Sequence, residues 1–457
     1  MTNKTFETSV VHQDDRASSA VRGAAIGFYV DMFDVYLPVI ALAPAMIYFV
    51  SPELSIGAKS LIAGMIFAAT LVARPLGSTI FGVLADKIGR RLATIYAVIG
   101  CGVTTLATAF LPGFQHIGVA AVGILIALRF VGGIFMGGEY TGAVPLAMES
   151  SPISKRGKYG GAIAATFPLA YCTISGISFL LLQTMPSDGL MSTYIQWGWR
   201  IPFVVGALAT FWFAYYYARS VHESESWIES KAEAASKGAT KATSFRLLMM
   251  PQNKRSLIRI FILMTGVWFG SNVVSVILPQ ILREDVGISV SGATGVWIIC
   301  QVVLIGGYLA SGLISQKIGR RAFFLGCGIT MAVISGTAVT LLATGTVGGY
   351  LAITIVATLA LLAGTTTFGS VPTLVCESFP VDVRGTGYGL GYSLAIIIPS
   401  FYAFYQELLT AVIPRAYTPM VLLVLGGVLV AAGALMGPDT RDRDLSMTTE
   451  QLYGPNR

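Results

Sequence analysis

Runs of about twenty apolar residues recur along the whole chain, separated by short polar breaks. A helix that crosses a bilayer of about 30 Å needs such a run. Twelve segments qualify: 22–50, 60–84, 92–112, 117–141, 159–184, 201–218, 257–282, 290–315, 322–343, 349–375, 386–411 and 417–437. No charged residue occurs from Ala322 to Cys376, and the polar cluster Thr344–Gly349 divides that stretch into two spans. Residues 1–20 are polar, mixed in charge and without an apolar core, so they read as a cytoplasmic tail and not a signal peptide. The pattern predicts an all-α membrane protein of twelve transmembrane helices.

Composition sharpens this. Of 457 residues, 54% are hydrophobic and only 12% are charged, about half the roughly 25% of a soluble domain. That much apolar surface excludes both a soluble globule and a disordered chain. Cys101, Cys172, Cys300, Cys327 and Cys376 all lie in apolar runs without a CxxC or Cys/His cluster, so neither a disulfide framework nor a metal site is expected. No cofactor is expected either.

The net charge of +7 comes from 30 Lys and Arg against 23 Asp and Glu. Its distribution speaks of topology and against nucleic-acid binding. One set of loops carries Lys87, Arg90 and Arg91; Lys155, Arg156 and Lys158; seven basic residues between Arg219 and Arg255; and Lys317, Arg320 and Arg321. The other face offers Lys59, Arg200, Arg283 and Arg415. The positive-inside rule then places both termini in the cytoplasm. The chain divides into a tail (1–20), a six-helix bundle (21–219), a charged cytoplasmic linker (220–255), a second bundle (256–438) and a C-terminal tail (439–457).

An internal repeat supports that division. Gly82-Val-Leu-Ala-Asp86-Lys87-Ile-Gly89-Arg90-Arg91 recurs as Gly312-Leu-Ile-Ser-Gln316-Lys317-Ile-Gly319-Arg320-Arg321, with Gln316 where the first copy has Asp86. Glu149-Ser-Ser-Pro152-Ile-Ser-Lys-Arg156-Gly157 recurs as Glu377-Ser-Phe-Pro380-Val-Asp-Val-Arg384-Gly385. Asp86 at a span terminus can pair with basic residues or a helix end across the inner face. Gly82 is expected to allow close helix approach and Gly89 a tight turn. Arg90 and Arg91 read as gate residues or as topogenic charges.

The first motif resembles the signature of the major facilitator superfamily, and the second resembles the companion signature of its symporter branches. The resemblance implies two pseudo-symmetric six-helix bundles, a midplane site between them, alternating access by rocking, and a monomer. It makes Gly82, Asp86, Gly89, Arg90, Arg91, Glu149, Arg156, Glu377 and Arg384 gating residues. Narrower matches follow. Gly27-Phe-Tyr-Val-Asp31-Met-Phe-Asp34, Ala73-Arg74-Pro75-Leu76-Gly77, Gly137-Gly138-Glu139-Tyr140 and Gly198-Trp199-Arg200-Ile201-Pro202-Phe203 are similar to stretches of the metabolite:proton symporter family. Asp31 and Met32 depart from that family's Glu and Trp. The D-x-x-D pattern of aromatic-acid:proton symporters is also present, so that branch stays open.

Ionisable residues at membrane depth are functional candidates by default. Asp31 and Asp34 lie three apart on one helix face, Arg74 interrupts the second span, and Arg129 and Glu139 lie on the fourth. Ionised, these five sum to −1, and one proton makes the set neutral. Asp31 or Asp34 leads as the proton site, with a structural salt bridge as the competing reading. The resemblance offers Glu139 as the alternative. Arg74 is either a bidentate clamp for a substrate carboxylate or a counter-ion, and Arg129 leans towards a structural pairing. Tyr29, Tyr36, Tyr140 and Tyr171, with Trp268, Asn272, Gln301, Tyr308 and Tyr392, are candidates for lining the substrate cavity.

The expected function is a proton-coupled importer of a small organic acid in a bacterial-type plasma membrane. The alternatives are an osmolyte, aromatic acid or sugar-like cargo, or a transporter-like nutrient sensor. An intramembrane enzyme is not expected, because no Ser/Lys, HExxH or paired-Asp catalytic motif occurs in the spans.

Overall fold

The computed structural model describes residues 2–51, 53–220 and 244–454, except the side chains of 2–17, 56, 60, 83, 85–87, 90, 140, 141, 244 and 290. Twelve helices in it are long and apolar enough to span a bilayer. The first six are α1 (Ser18–Tyr48), α2 (Gly57–Gly82), α3 (Arg91–Ala109), α4 (Ala120–Glu149), α5 (Ile153–Thr184) and α6 (Tyr194–Ser220). The second six are α7 (Pro251–Glu284), α8 (Ser291–Ile318), α9 (Arg320–Ala343), α10 (Tyr350–Glu377), α11 (Arg384–Thr410) and α12 (Arg415–Leu435). Each apolar run predicted from the sequence falls on one of them, and no strand occurs among the described residues. The helix of α1 begins upstream, at Thr2.

The helices outrun the apolar stretches because backbone groups must stay paired until water or a cap can satisfy them. Thus α4 continues to Glu149 and stops before Pro152, while α7 starts with Pro251 at its first position. The predicted linker lies mostly outside the described residues (221–243), and its last part is already helical, as Ser244–Leu248 and then from Pro251.

The two halves share their irregularities. α1 loosens into a π turn at Pro38–Leu42, and α7 does so at Val273–Ile277, just before Pro279. Prolines remove ladder hydrogen bonds at both places. The repeated turns Gly89 and Gly319 adopt φ of 98° and 95°, a left-handed conformation that favours glycine. Between halves, α5 packs against α8 with backbones nearly touching. A Cβ on Gly157 would overlap the carbonyl oxygen of Gly312, and one on Gly312 would overlap that of Gly157. α2 meets α11, where the Ser78 and Ser393 hydroxyls lie 3.2 Å apart. The outer surface presents Phe110, Leu180, Trp212, Leu351 and Val428, an apolar exterior suited to lipid.

Candidate functional site

Close helix packing builds the buried charge cluster. On α2 and α4, a Cβ on Gly77 would overlap the Ile134 carbonyl oxygen, and one on Gly137 would overlap that of Arg74. The two short motifs around Arg74 and Glu139 therefore face each other backbone to backbone. Gly82, expected to serve such an approach, does not: a Cβ there meets nothing within 4 Å among the described residues. The α2–α4 crossing lies earlier, at Gly77, and position 82 has already passed it.

Two ion pairs cross from α1 to its neighbours. Arg74 Nη2 donates to Asp31 Oδ1 at 2.6 Å, and Arg129 Nη1 donates to Asp34 Oδ2 at 3.1 Å. All four residues are fully buried. Thr105 also donates to Asp34, Arg129 Nη2 donates to Thr108 at 3.0 Å, and the Arg129 guanidinium sits 5.6 Å from the Phe203 ring. Glu139 is as deeply buried, yet neither carboxyl oxygen has a hydrogen-bond partner among the described residues. It lies against Gly27, one turn before Asp31, where a Cβ would come within 2.9 Å of its Oε1.

Arg200 anchors the end of this bundle. It donates to the Gln196 carbonyl at 2.9 Å, to the Tyr48 hydroxyl at 2.7 Å and to the Ala109 carbonyl, and it stacks 4.7 Å from the Trp199 ring.

The repeated loop motifs interlock on the face that carries the basic loops. Arg384 Nη1 donates to Glu149 Oε1 at 2.6 Å, from one half to the other. Arg320 holds Glu377 with two bonds of 3.0 Å, within the second half. Gln316 accepts from the Gly157 N–H at 3.1 Å and from Arg320 Nη2 at 2.7 Å, and donates to the Ile153 carbonyl at 3.1 Å. Its amide thus bridges the halves with donor and acceptor together. Arg91 donates to the Ala218 carbonyl and so ties α3 to α6 inside one bundle. The side chains of Asp86, Arg90 and Tyr140 lie outside the described residues.

The segment after α12 folds over the same face. Arg156 Nη1 donates to the Arg443 carbonyl at 2.7 Å, and Arg384 Nη2 to the Leu445 carbonyl at 2.7 Å. Thr440 donates to Glu377 at 3.1 Å, Leu445 is buried, and Thr449 is bonded to Asp382 at 2.9 Å. A turn in this strap holds Asp444 below the usual carboxylate range, because the Ser446 N–H and hydroxyl donate to it at 2.9 and 2.8 Å.

The opposite face opens into a cleft of about 970 Å³, mouth included, between α1, α2, α5, α7, α8 and α11. Phe67, Tyr171, Val276, Trp297 and Tyr402 line its deep end, and Arg283 is its one charged lining residue among those described. Tyr36 packs on Phe67 and Tyr171 (5.9 and 4.9 Å) beneath. From Tyr36 a chain of rings runs through Phe167, Phe368 and Trp268 to Tyr392, crossing from one half to the other.

Of the residues expected to contact substrate, Arg74, Arg129, Tyr29, Trp268, Asn272, Gln301 and Tyr392 all lie outside this lining. Trp268 donates to the Tyr392 carbonyl at 3.3 Å and Asn272 to that of Pro399 at 3.1 Å. Tyr29 packs on Phe33 at 6.1 Å. Gln301, one helical turn beyond Trp297, is fully buried with both amide atoms unpartnered among the described residues, as is Asn272 Oδ1. Such groups cost about 1–3 kcal/mol each unless a ligand or water satisfies them. Arg283 and the strap escaped the sequence reading. The first looked like a loop charge, and the second uses mainly backbone carbonyls, which leave no signature in side-chain chemistry.

Two repeated bundles, interlocked on one face and parted on the other, have the architecture of a membrane transporter. The chain belongs to the Major Facilitator Superfamily, whose family model matches residues 24–403. It is 30% identical over 389 residues to the inner membrane metabolite transport protein YhjE of Escherichia coli K12, covering 83% of this chain and 84% of that one. It is 25% identical to the glycine betaine/proline/ectoine/pipecolic acid transporter OusA of Dickeya dadantii, covering 90% and 82%. The proton:xylose symporter XylE of E. coli, bound to 6-bromo-6-deoxy-D-glucose, shares the fold. Its TM-score is 0.72 at 18% identity, over 96% of this chain and 99% of that one.

Proposed function

We propose that this transporter couples proton entry to uptake of small carboxylate-bearing solutes, organic acids above all. It would do so as a monomer in a bacterial inner membrane, with both termini cytoplasmic. Glu139 carries the reading. Arg74 and Arg129 are matched by Asp31 and Asp34, which leaves Glu139 as the carboxyl of this cluster without a hydrogen-bond partner among the described residues. An ionised carboxylate in that position is uncompensated, and a proton on it removes the excess charge. Asp31 and Asp34 then serve as counter-ions, and Arg74 is the cation for which Glu139 competes with Asp31 once its proton leaves. A ligand shifts a two-state equilibrium only by its differential affinity. Proton and solute would each favour the state that passes cargo inward.

The closed basic-loop face and the open cleft fit an outward-facing state in this orientation. The solutes named for OusA each carry a carboxylate, as organic acids do, and that group is the common denominator. A second reading, a betaine-like zwitterion, draws support from the Tyr171 and Trp297 rings, which could hold a quaternary ammonium.

Uptake into proteoliposomes under an imposed inward proton gradient tests the proposal. Labelled mono-, di- and tricarboxylates, betaine and xylose would be screened with the wild type and Glu139→Gln. Gradient-driven uptake of a carboxylate is expected. In Glu139→Gln the gradient should lose its effect while solute counterflow persists. Wild-type uptake indifferent to the gradient would overturn the coupling, and transport of xylose alone would overturn the substrate class.

A further inference from the structure

Among the described residues the cleft is lined by one cation and no anion. Arg283, in the last turn of α7, is the only charged residue among those lining it. It is partly buried, and its Nε donates to the Pro279 carbonyl of its own helix at 3.1 Å, which fixes the stem. Neither terminal nitrogen has a protein partner among the described residues. The adjacent carboxylate, Glu284, acts on Arg283 at a distance but forms no ion pair with it, and lies 3.8 Å from Arg415 at the exposed rim. Arg74 and Arg129, by contrast, are both engaged by aspartates.

An arginine at a span end commonly snorkels, stem along lipid and head in water. Arg283 does not fit that description, because it is turned into the space between the two bundles. Ser175, Ser178, Gln280 and Thr294 line the same wall, with Trp297 and Tyr171 at the deep end. A planar fork of donors, held at its Nε and open at its two outer nitrogens, matches a carboxylate in bidentate fashion.

We propose that Arg283 is the carboxylate-binding group of the open cleft and the residue that selects the solute. This rests on the transport reading above. The solute enters with its carboxylate on the Arg283 fork, its hydroxyls or other polar groups on Ser175, Ser178 or Thr294, and its body against Trp297 and Tyr171. A neutral sugar leaves the fork unpaired and is not retained. A zwitterion engages it through the same carboxylate as an acid. Selection therefore happens at the cleft wall, before the solute reaches the buried pairs of α1, α2 and α4.

The test compares wild type, Arg283→Gln and Arg283→Lys in proteoliposomes, with the best-transported organic acid, glycine betaine and xylose as probes. Melting temperature in detergent is followed with and without each probe. For a carboxylate probe, Arg283→Gln should raise KM at least about tenfold with the maximal rate nearly kept, and abolish the probe's thermal stabilisation. Arg283→Lys should recover part of the affinity through its charge. Loss for either carboxylate upholds the assignment, and the affected probe names the class. A wild type that moves a carboxylate with KM unchanged in Arg283→Gln overturns the assignment and leaves the transport reading intact. A wild type neither stabilised by nor transporting any carboxylate overturns both.

Discussion

Arg384 and Glu149, 235 residues apart, meet at 2.6 Å across the two halves of the molecule. Each belongs to a copy of the same ExxPxxxRG motif, so the repeat closes the basic-loop face by binding one copy to the other. The pair is lopsided: Arg384 is buried and also donates to the Cys376 and Phe379 carbonyls, while Glu149 keeps 27% of its side chain exposed. Replacing Glu149 by Gln removes the charge and keeps an acceptor. The loss should be about 1–2 kcal/mol after allowance for solvent, a shift of roughly 5–30-fold towards the state open on that face. Labelling of a cysteine introduced at Ser151, buried on the same face and bonded only to its own helix, should quicken accordingly, and an unchanged labelling rate would deny the pair its gating role.

The strap after α12 engages both halves, through Arg156 on one side and Arg384 and Glu377 on the other. Deleting the chain from Asp442 onward removes the Arg443 and Leu445 carbonyls and leaves two buried arginines short of acceptors. Faster labelling on the basic-loop face is expected, in the same direction as Glu149→Gln. The two changes should add less than fully, since both act on Arg384. Strict additivity would mean that the strap and the ion pair act on separate parts of the gate.

The buried Arg74–Asp31 pair makes a sharper thermodynamic prediction. Breaking it from one side leaves an uncompensated charge and should cost about 3–5 kcal/mol. Removing both sides together, as Arg74→Met with Asp31→Leu, should cost less than either single change. Melting temperatures of the four proteins in one detergent provide the cycle. A double variant as unstable as the sum of the singles would show that the two side chains act independently.

Much of this was legible in the sequence because a membrane imposes one rule on every span. Twenty apolar residues, a basic bias in alternate loops and two repeated motifs sufficed for twelve helices and two bundles. The cluster of Asp31, Asp34, Arg74, Arg129 and Glu139 was legible as a set, since charge at that depth is costly. Which carboxylate takes which arginine was not, because that depends on how Gly77 and Gly137 let α2 and α4 close. Gly82 misled for the same reason: a motif glycine does not say which neighbour it faces. Arg283 looked like an ordinary loop charge of the sparsely charged face because sequence position cannot tell a side chain turned to lipid from one turned into a cleft.

The one exchange that removes a charge between the two loop motifs, Asp86 in one and Gln316 in the other, has a physical reading. Gln316 accepts from the Gly157 N–H and Arg320 while donating to the Ile153 carbonyl. A carboxylate could take over the first two bonds but has no hydrogen for the third. Gln316→Asp should therefore keep the Arg320 contact, lose the donation to Ile153 and set a negative charge against that carbonyl. The expected result is a basic-loop face that opens more readily, with transport slowed at the step that recloses it and KM little changed. Gln316→Glu adds a methylene-matched control that also lacks the donor and should behave alike. If both variants close as well as the wild type, measured by labelling of a cysteine introduced at the buried Ser151, the donation to Ile153 contributes nothing to the gate. The exchange would then be neutral in the closed state.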